Sequence, residues 1–377
     1  MLHKLPKSEC KHDANLQFYP MSHILLDCNL MKYSHSGLYH YCQHLGNHIN
    51  RLLAAENQPL MQMYLPPRRK LKLDAEPHHL VEERWHKLFR PFLKDCRVWH
   101  APFQSGRILP DKKRYPNIKV VLTIHDLNVL HEGKPKDVQQ KSLAQTQSLI
   151  DQSDAIVCIS EFTKSDVLTH CDVGNSPIHV IYNGLNKVDE QVGREPLSYK
   201  PAGEFLLGIG YQNQKKNFHV LLPLLESNPD LELMLVGHHD DPAYVNQMRQ
   251  LAQSKGIDKR LHLLGTVSEA DKAWYLSHCK AFLHPSLAEG FGLPVIEAMQ
   301  FGKPVFLSTA TSLPEIGGDA AFYFPSFEPE VVQAVYAEGM KTYERTPRTE
   351  AIIQNAARFT WEESARQYVS VYQSLMS

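Results

Sequence analysis

No stretch of this 377-residue sequence approaches the roughly 20 consecutive apolar residues that a membrane-spanning helix needs. The N-terminus, MLHKLPKSECKHDANLQ, lacks the apolar core of a secretion signal, so the chain is expected to stay in the cytoplasm. Cysteine is scarce as well: seven residues, an odd number, with no CxxC pair. That excludes a disulfide-stapled framework and predicts reduced, mostly buried thiols. The 21 histidines form neither an HExxH nor a Cys/His quartet, and no DxD stands at a strand end. No structural metal site is therefore expected, and HHDD (238–241) reads as a polar turn.

A surplus of either charge is missing too, with 40 Lys and Arg against 41 Asp and Glu, which gives no reason to expect a nucleic acid as partner. The distribution is uneven, since residues 1–120 carry 19 basic against 10 acidic side chains. The densest basic run, PPRRKLKL (66–73), holds Arg68, Arg69, Lys70 and Lys72 beside two prolines and reads as a loop. It is either a solvated surface run or a contact for an anionic acceptor or a lipid headgroup layer. The second reading would make the protein peripheral on the inner face of the cytoplasmic membrane.

What is present is a repeated alternation. The length exceeds what one core usually serves, so two domains are expected. Short apolar runs at 23–28, 97–101, 119–125, 155–160, 178–182, 205–210, 231–237, 261–265, 280–285, 303–308 and 320–324 are rich in Val, Ile and Leu without strict alternation, as strands covered on both faces are. Helical patterns such as 37–55, 141–153 and 244–256 lie between them, which implies parallel sheets with right-handed crossovers. The reading divides the chain into a loosely ordered segment at 1–20, a first α/β domain at 21–186, a polar linker at 187–203, a second α/β domain at 204–358 and a closing helix at 359–377 that packs back toward the first domain.

The most informative stretch is EGFGLPVIE (289–297). A strand ends at His284–Pro285, small residues follow, and Pro294 suits the first turn of a helix. Gly290, Phe291 and Gly292 then stand just before a helix start, where unpaired N–H groups and the helix dipole favour an anion. Glu289 precedes this loop, and Glu297 is expected in the first helical turn. Ionised carboxylates only accept hydrogen bonds, which suits them to sugar and ribose hydroxyls.

This segment resembles the E-x7-E signature of the retaining GT-B glycosyltransferases of family 4, which use nucleotide-diphosphate sugars. The resemblance extends through FGKPV (301–305) and SLPEIGGDAAFYF (312–324), the lead-in LLGTVSEADKAWYLSHCKAFLHPS (263–286) and the lysine-containing KKNFHVLL (215–222). In the first half HSGLYHY (35–41), TIHDL (123–127), CISEFTKSDV (158–167) and VIYNGLN (180–186) also fit. It implies two Rossmann-like domains whose parallel sheets face a central cleft, and a donor bound between them. Glu297 would hold the ribose, and Glu289 a hydroxyl of the transferred sugar. The N–H groups of Phe291 and Gly292, within the loop from Gly290 to Leu293, would bind the sugar or its phosphate. Lys216, with Lys215 beside it, would neutralise the departing diphosphate, Gly37 would let phosphates approach from the first domain, and His125 would sit over the sugar. The base would lie against Thr266 and Val267. Many members carry Arg five residues before the motif lysine; this chain has Tyr211 there.

By that resemblance the acceptor is a glycan or a lipid-linked sugar, in bacterial surface polysaccharide of O-antigen or capsule type, with mannose from GDP-mannose as the suggested donor. Retention would need no protein nucleophile or base, and neither a metal nor a resident cofactor, so Asp126 is read as positioning. Other readings are a sugar-nucleotide epimerase or phosphorylase of the same architecture and a non-catalytic nucleotide-sugar-binding protein. A dehydrogenase is a further one, whose fingerprint is imitated only by GIGYQN (208–213), with Asn213 replacing the third glycine.

Overall fold

The computed structural model describes residues 23–33, 37–67, 79–83, 86, 91–104, 109–186, 194–346 and 348–377. The expectations for residues 1–20 and for the basic run at Arg68, Arg69, Lys70 and Lys72 lie outside the described residues. Continuous apolar runs become central strands because both faces of a parallel sheet are covered by crossover helices. The first sheet contains β1 (Ile24–Asp27), β2 (Gln62–Leu65), β3 (His79–Val81), β4 (Val98–Ala101), β5 (Lys119–Ile124), β6 (Ala155–Cys158) and β7 (Ile178–Val180). Its order is β3-β2-β1-β4-β5-β6-β7, parallel throughout. The second contains β8 (Phe205–Ile209), β9 (Glu232–Val236), β10 (Leu261–Gly265), β11 (Ala281–His284), β12 (Val305–Ser308) and β13 (Phe322–Phe324), in the order β10-β9-β8-β11-β12-β13.

Both sheets reverse their winding between the first and fourth strands, which are neighbours at the centre. Parallel α/β sheets bind ligands at the carboxyl ends of the strands flanking such a reversal. In the second sheet these are the ends of β8 and β11.

The helices are α1 (Gly37–Ala55), α2 (Lys136–Ile150), α3 (Glu161–His170), α4 (Leu222–Ser227), α5 (Pro242–Ser254), α6 (Glu269–His278), α7 (Leu293–Met299), α8 (Leu313–Gly317), α9 (Pro329–Arg345), α10 (Thr349–Ala357) and α11 (Trp361–Met376). Several begin where a short polar side chain accepts a free N–H of the first turn: Ser160 from Thr163, Asp241 from Ala243 and Tyr244, Ser268 from Asp271, and Thr360 from Glu363. The first of the expected helices beyond α1 starts earlier than its apolar period suggests. Pro135 caps α2, and positions 136–138 and 140 are exposed and, Val138 apart, polar, so the first turn shows no apolar period.

Of the stretch expected as a linker, residues 194–203 are fastened to the second domain. The N–H groups of Leu197 and Ser198 donate to Asp271 on α6, and those of Ala202 and Gly203 donate to Glu232 on β9. The chain then returns at its far end. α11 buries Trp361, Ala365, Tyr368, Val369, Val371 and Tyr372 in the core of the first domain, against α1 and the first sheet. Trp361 Nε1 donates to Asn186 Oδ1 at 2.9 Å, and Leu185 N donates to the Phe359 carbonyl at 2.9 Å.

Gly184 makes this crossing possible, because a Cβ there would collide with the backbone and ring of Trp361. Gly184→Ala should lower stability by roughly 1–3 kcal/mol through overpacking. Urea unfolding checks this; an unchanged midpoint would mean that α11 can shift without loss.

Candidate active site in the cleft

Beyond β8 the chain turns sharply through Tyr211 to Asn217. Gln212 is buried and its amide donates to the Leu235 carbonyl, while Asn213 accepts the Lys216 N–H and begins a short 3-10 turn. This fixes Lys215 and Lys216 at the end of the strand. Beyond β11 the loop 285–292 closes over that turn: Leu287 N and Ser286 Oγ both donate to the Lys215 carbonyl. Thr311 and Ser312 secure the same loop through the Glu289 N–H and the carbonyls of Glu289 and Phe291.

The two segments meet at charge. The Lys216 ammonium, only 8% exposed as a residue, donates to Glu289 Oε1, and His284 Nε2 lies 2.8 Å from the same oxygen. Burial by itself would raise the Glu289 carboxyl, but Lys216 and His284 outweigh it and hold the group well below the usual carboxylate range. Burial lowers His284, so its ring donates Nε2–H as a neutral imidazole. Gly292, with φ +103°, is the N-cap of α7, and Pro294 stands in its first turn. Among the described residues the N–H groups of Phe291 and Gly292 find no acceptor. Glu297 falls one residue past the first turn of α7 rather than within it. It is buried, 3.3 Å from Lys272 of α6, and burial raises its carboxyl against the pull of that lysine.

The first domain touches this loop directly. Gly290 is packed so closely on the first domain that a Cβ there would collide with the His125 carbonyl and press on the Asp126 side chain. Ser160 Oγ donates to the Gly290 carbonyl at 3.0 Å, and Thr163 Oγ1 donates to that of His125 at 3.2 Å. Glu315 of α8 accepts the N–H groups of Glu161 and Phe162 at the start of α3, at 2.8 and 3.1 Å. Lys215 reaches Glu132 of the first domain at 3.3 Å. Burial would lower this lysine, yet Glu289, Glu132 and Asp126 together keep it raised and charged.

His125 is buried, with Nε2 2.8 Å from the Pro102 carbonyl. A carbonyl only accepts, so Nε2 carries the proton and Nδ1 is left as an acceptor. The structure thus brings His125, Lys215, Lys216, Glu289, Gly290, Phe291, Gly292 and Leu293 to one cleft. Val267 packs into the apolar cluster that contains Phe291 and Val295, with Thr266 exposed beside it. Gly37 begins α1, and a Cβ there would meet nothing within 4 Å. Tyr211 is 42% exposed, edge-on to His238.

Among the described residues no three His, Cys, Asp or Glu side chains converge as a metal would require. Sequence reasoning missed Glu132, Lys272, His284 and Glu315 as members of the site. For His284 a signal existed: it ends a strand five residues before Glu289. For the others only the tertiary pairing reveals the role.

The family profile described as Glycosyl transferases group 1 matches residues 194–359, and that of Glycosyltransferase Family 4 matches residues 52–187. The chain belongs to glycosyltransferase family 4. Its relatives include O-antigen chain mannosyltransferase B of Escherichia coli, 28% identical over 81% of this chain and 82% of that one. Another is the lipopolysaccharide core biosynthesis mannosyltransferase LpsB of Rhizobium meliloti, 24% identical over 77% and 83%. The serotype-specific mannosyltransferase WbdA of Escherichia coli is 25% identical over 68% of this chain, which spans 34% of WbdA.

Among solved structures, sucrose-phosphate synthase from Thermosynechococcus elongatus superposes with TM-score 0.69 at 19% identity, covering 95% and 96% of the two chains. Anabaena HepE in complex with UDP-glucose superposes with TM-score 0.66 at 18% identity, covering 93% and 99%. The fold is GT-B, and this glycosyltransferase keeps its charged residues where the two domains face each other.

Two buried rings of this glycosyltransferase make its stability depend on pH. Burial lowers His125 to about 4, and burial together with the neighbouring His125 lowers His100 to about 3. The unfolded chain takes up protons near 6.5 that the folded chain refuses, so this stability is complete above that value and is lost as pH falls toward 4. By pH 5 the loss should be roughly 2 kcal/mol per ring. Urea midpoints at pH 7.5 and pH 5 measure it; equal midpoints would show that the rings charge as readily as in the open chain.

Proposed function

We propose that this chain transfers mannose from GDP-mannose, with retention of configuration and without a metal, to a glycan or lipid-linked acceptor in bacterial surface polysaccharide of O-antigen type. The observation that carries the reading is the Lys216 ammonium, withdrawn from water beside Lys215 and the unaccepted N–H groups of Phe291 and Gly292. Such a constellation suits the charge that a departing diphosphate develops. The choice of mannose is supported by the mannosyltransferases among its relatives, and a nucleotide-sugar donor by the UDP-glucose bound to HepE.

In this reading the bond between the anomeric carbon and the diphosphate oxygen breaks as the acceptor oxygen bonds that carbon on the same face. The acceptor's proton passes to the leaving phosphate. Lys216 and Lys215 offset the growing negative charge, and Glu297 holds the ribose hydroxyls. Glu289 keeps Lys216 oriented and takes a sugar hydroxyl, Gly37 leaves room for phosphate, and the base lies against Thr266 and Val267. An imidazolium near a carbon that is gaining positive charge would oppose the reaction. Burial keeps His125 neutral, so its free nitrogen can accept a sugar hydroxyl.

Lys216→Gln keeps a donor for Glu289 but removes the charge, and should lower kcat roughly 10²–10³-fold. Lys216→Ala would in addition leave Glu289 buried without its ammonium, at a stability loss of roughly 3–5 kcal/mol. Steady-state transfer assays with GDP-mannose, alongside thermal shift against UDP-, GDP-, ADP- and dTDP-sugars, check both the role and the donor. Near-normal kcat in Lys216→Gln would assign the leaving-group charge to another residue, and a shift with a different nucleotide alone would replace the donor.

No helix of the described residues is long and apolar enough to cross a membrane. Peripheral contact with an anionic membrane is proposed through Arg68, Arg69, Lys70 and Lys72, which follow β2 in the sequence. Truncating Arg68, Arg69 and Lys70 together to Ala should weaken binding to anionic vesicles while sparing hydrolysis of free donor. Equal vesicle binding would return the run to a solvated surface.

A further inference from the structure

Under α11, five buried side chains form one continuous chain of hydrogen bonds. The Tyr372 hydroxyl lies 2.7 Å from His100 Nδ1, and His100 Nε2 lies 2.8 Å from Thr123 Oγ1. Thr123 Oγ1 in turn lies 2.9 Å from the Tyr368 hydroxyl, which is 2.6 Å from that of Tyr41. All five residues are buried. Two belong to α11, one to α1, and His100 and Thr123 to the neighbouring strands β4 and β5. A neutral imidazole offers one donor and one acceptor, so the chain runs in a single direction with every interior member giving and receiving one proton.

The hydrogen bonds end at the Tyr41 hydroxyl, and the Tyr41 ring carries the contact on to His125. Thr123 and His125 are two residues apart along one strand line, so their side chains share a face of the sheet. The Tyr41 ring meets the His125 ring edge-on, with centroids 4.7 Å apart and planes at 77°. Five phenylalanine-like or aliphatic side chains would fill the same space without polar groups to satisfy. What the hydroxyls add is a fixed register of α11 and α1 against the end of β5, since a slip of either helix would leave buried donors and acceptors unmet.

The geometry points to Tyr368 as a positioning residue of the transfer reaction: its hydroxyl, held by Thr123 and Tyr41, sets the Tyr41 ring and through it the orientation of His125 over the donor sugar. This rests on the reading of His125 as a sugar contact given above. It makes the C-terminal helix part of the catalytic apparatus as well as a clasp between domains.

The experiment compares Tyr368→Phe with Ser364→Ala in the full chain. Each deletes one buried hydroxyl from α11, but Ser364 bonds the carbonyls of Tyr182 and Thr360 and stands outside the network. Tyr368→Phe should lower kcat for transfer from GDP-mannose roughly ten- to hundredfold, the scale of a misplaced contact, with donor KM changed by less than about twofold. Ser364→Ala should keep kcat within about twofold of wild type. In 15N-histidine spectra the His125 ring N–H signal, assigned by its loss in His125→Gln, should move in Tyr368→Phe and stay in Ser364→Ala.

Unchanged kcat in Tyr368→Phe, or an equal loss in both variants, overturns the inference. Should Tyr368→Phe not fold, Tyr41→Phe keeps the ring and removes only the terminal hydroxyl, and carries the same expectations. The spectral arm is independent of the donor. A wild type that transfers no sugar while the signal still moves would retire the proposed function and leave the positioning intact. An active wild type with an unmoved signal would retire the positioning alone.

Discussion

Lys216 and Glu289 are buried against each other where the second sheet reverses its winding, and the site is arranged around that pair. Withdrawing two such ions from water costs several kcal/mol each, and a well-packed apolar pair would hold the loop as firmly. The charges are therefore poor evidence of stabilisation, and they suit the departing diphosphate proposed above. Their surroundings serve the same end. Gln212 and Asn213 fix the turn that carries the lysine, Thr311 and Ser312 fix the loop that carries the carboxylate, and His284 supplies Glu289 with a second donor. A cation held this tightly needs little reorganisation when negative charge develops beside it.

The pair lies where the two domains meet. Their contacts include the loop at Gly290 on the carbonyl of His125, Ser160 on the Gly290 carbonyl, and Glu315 on the first N–H groups of α3. Each joins a residue of one domain to backbone of the other, so each depends on relative placement rather than on side-chain fit alone. α11 adds a covalent return from the second domain to the first, and Gly184 lets it pass close to the backbone it crosses. One consequence is that the loop that would hold the donor and the strand end that would hold the sugar contact are parts of one interface.

The central strands were legible in the sequence because burial on both faces forces unbroken runs such as KVVLTI, FLLGI and ELMLV. β2 and β3 were not. QMYL is wholly buried yet carries a glutamine and a methionine and runs into two prolines, and HLV is a three-residue edge strand with one buried position. The loop before α7 was legible as a turn into a helix because its glycines and proline are local in sequence. Glu132 and Glu315 were invisible for the opposite reason. Each is an ordinary surface-type carboxylate whose meaning comes from a partner in the other domain, at Lys215 and at the N-terminus of α3. No pattern of spacing or hydropathy encodes that pairing.

The tyrosine at position 211 gains its significance from the same interface. An arginine there would have been a second cation owned by the second domain alone. Here the position holds an exposed ring edge-on to His238, and a further cation is Lys215, whose ammonium lies between domains 3.3 Å from Glu132. The charge is kept, since three neighbouring carboxylates outweigh the burial that would discharge it. Its location, however, is now set jointly by both domains. If a diphosphate is what the lysines serve, the first of them is paired within the second domain, while the second is paired across the domain boundary. Compared with a pair of cations on one rigid turn, this arrangement would tie the electrostatic strength of the proposed site to the relative placement of the two domains.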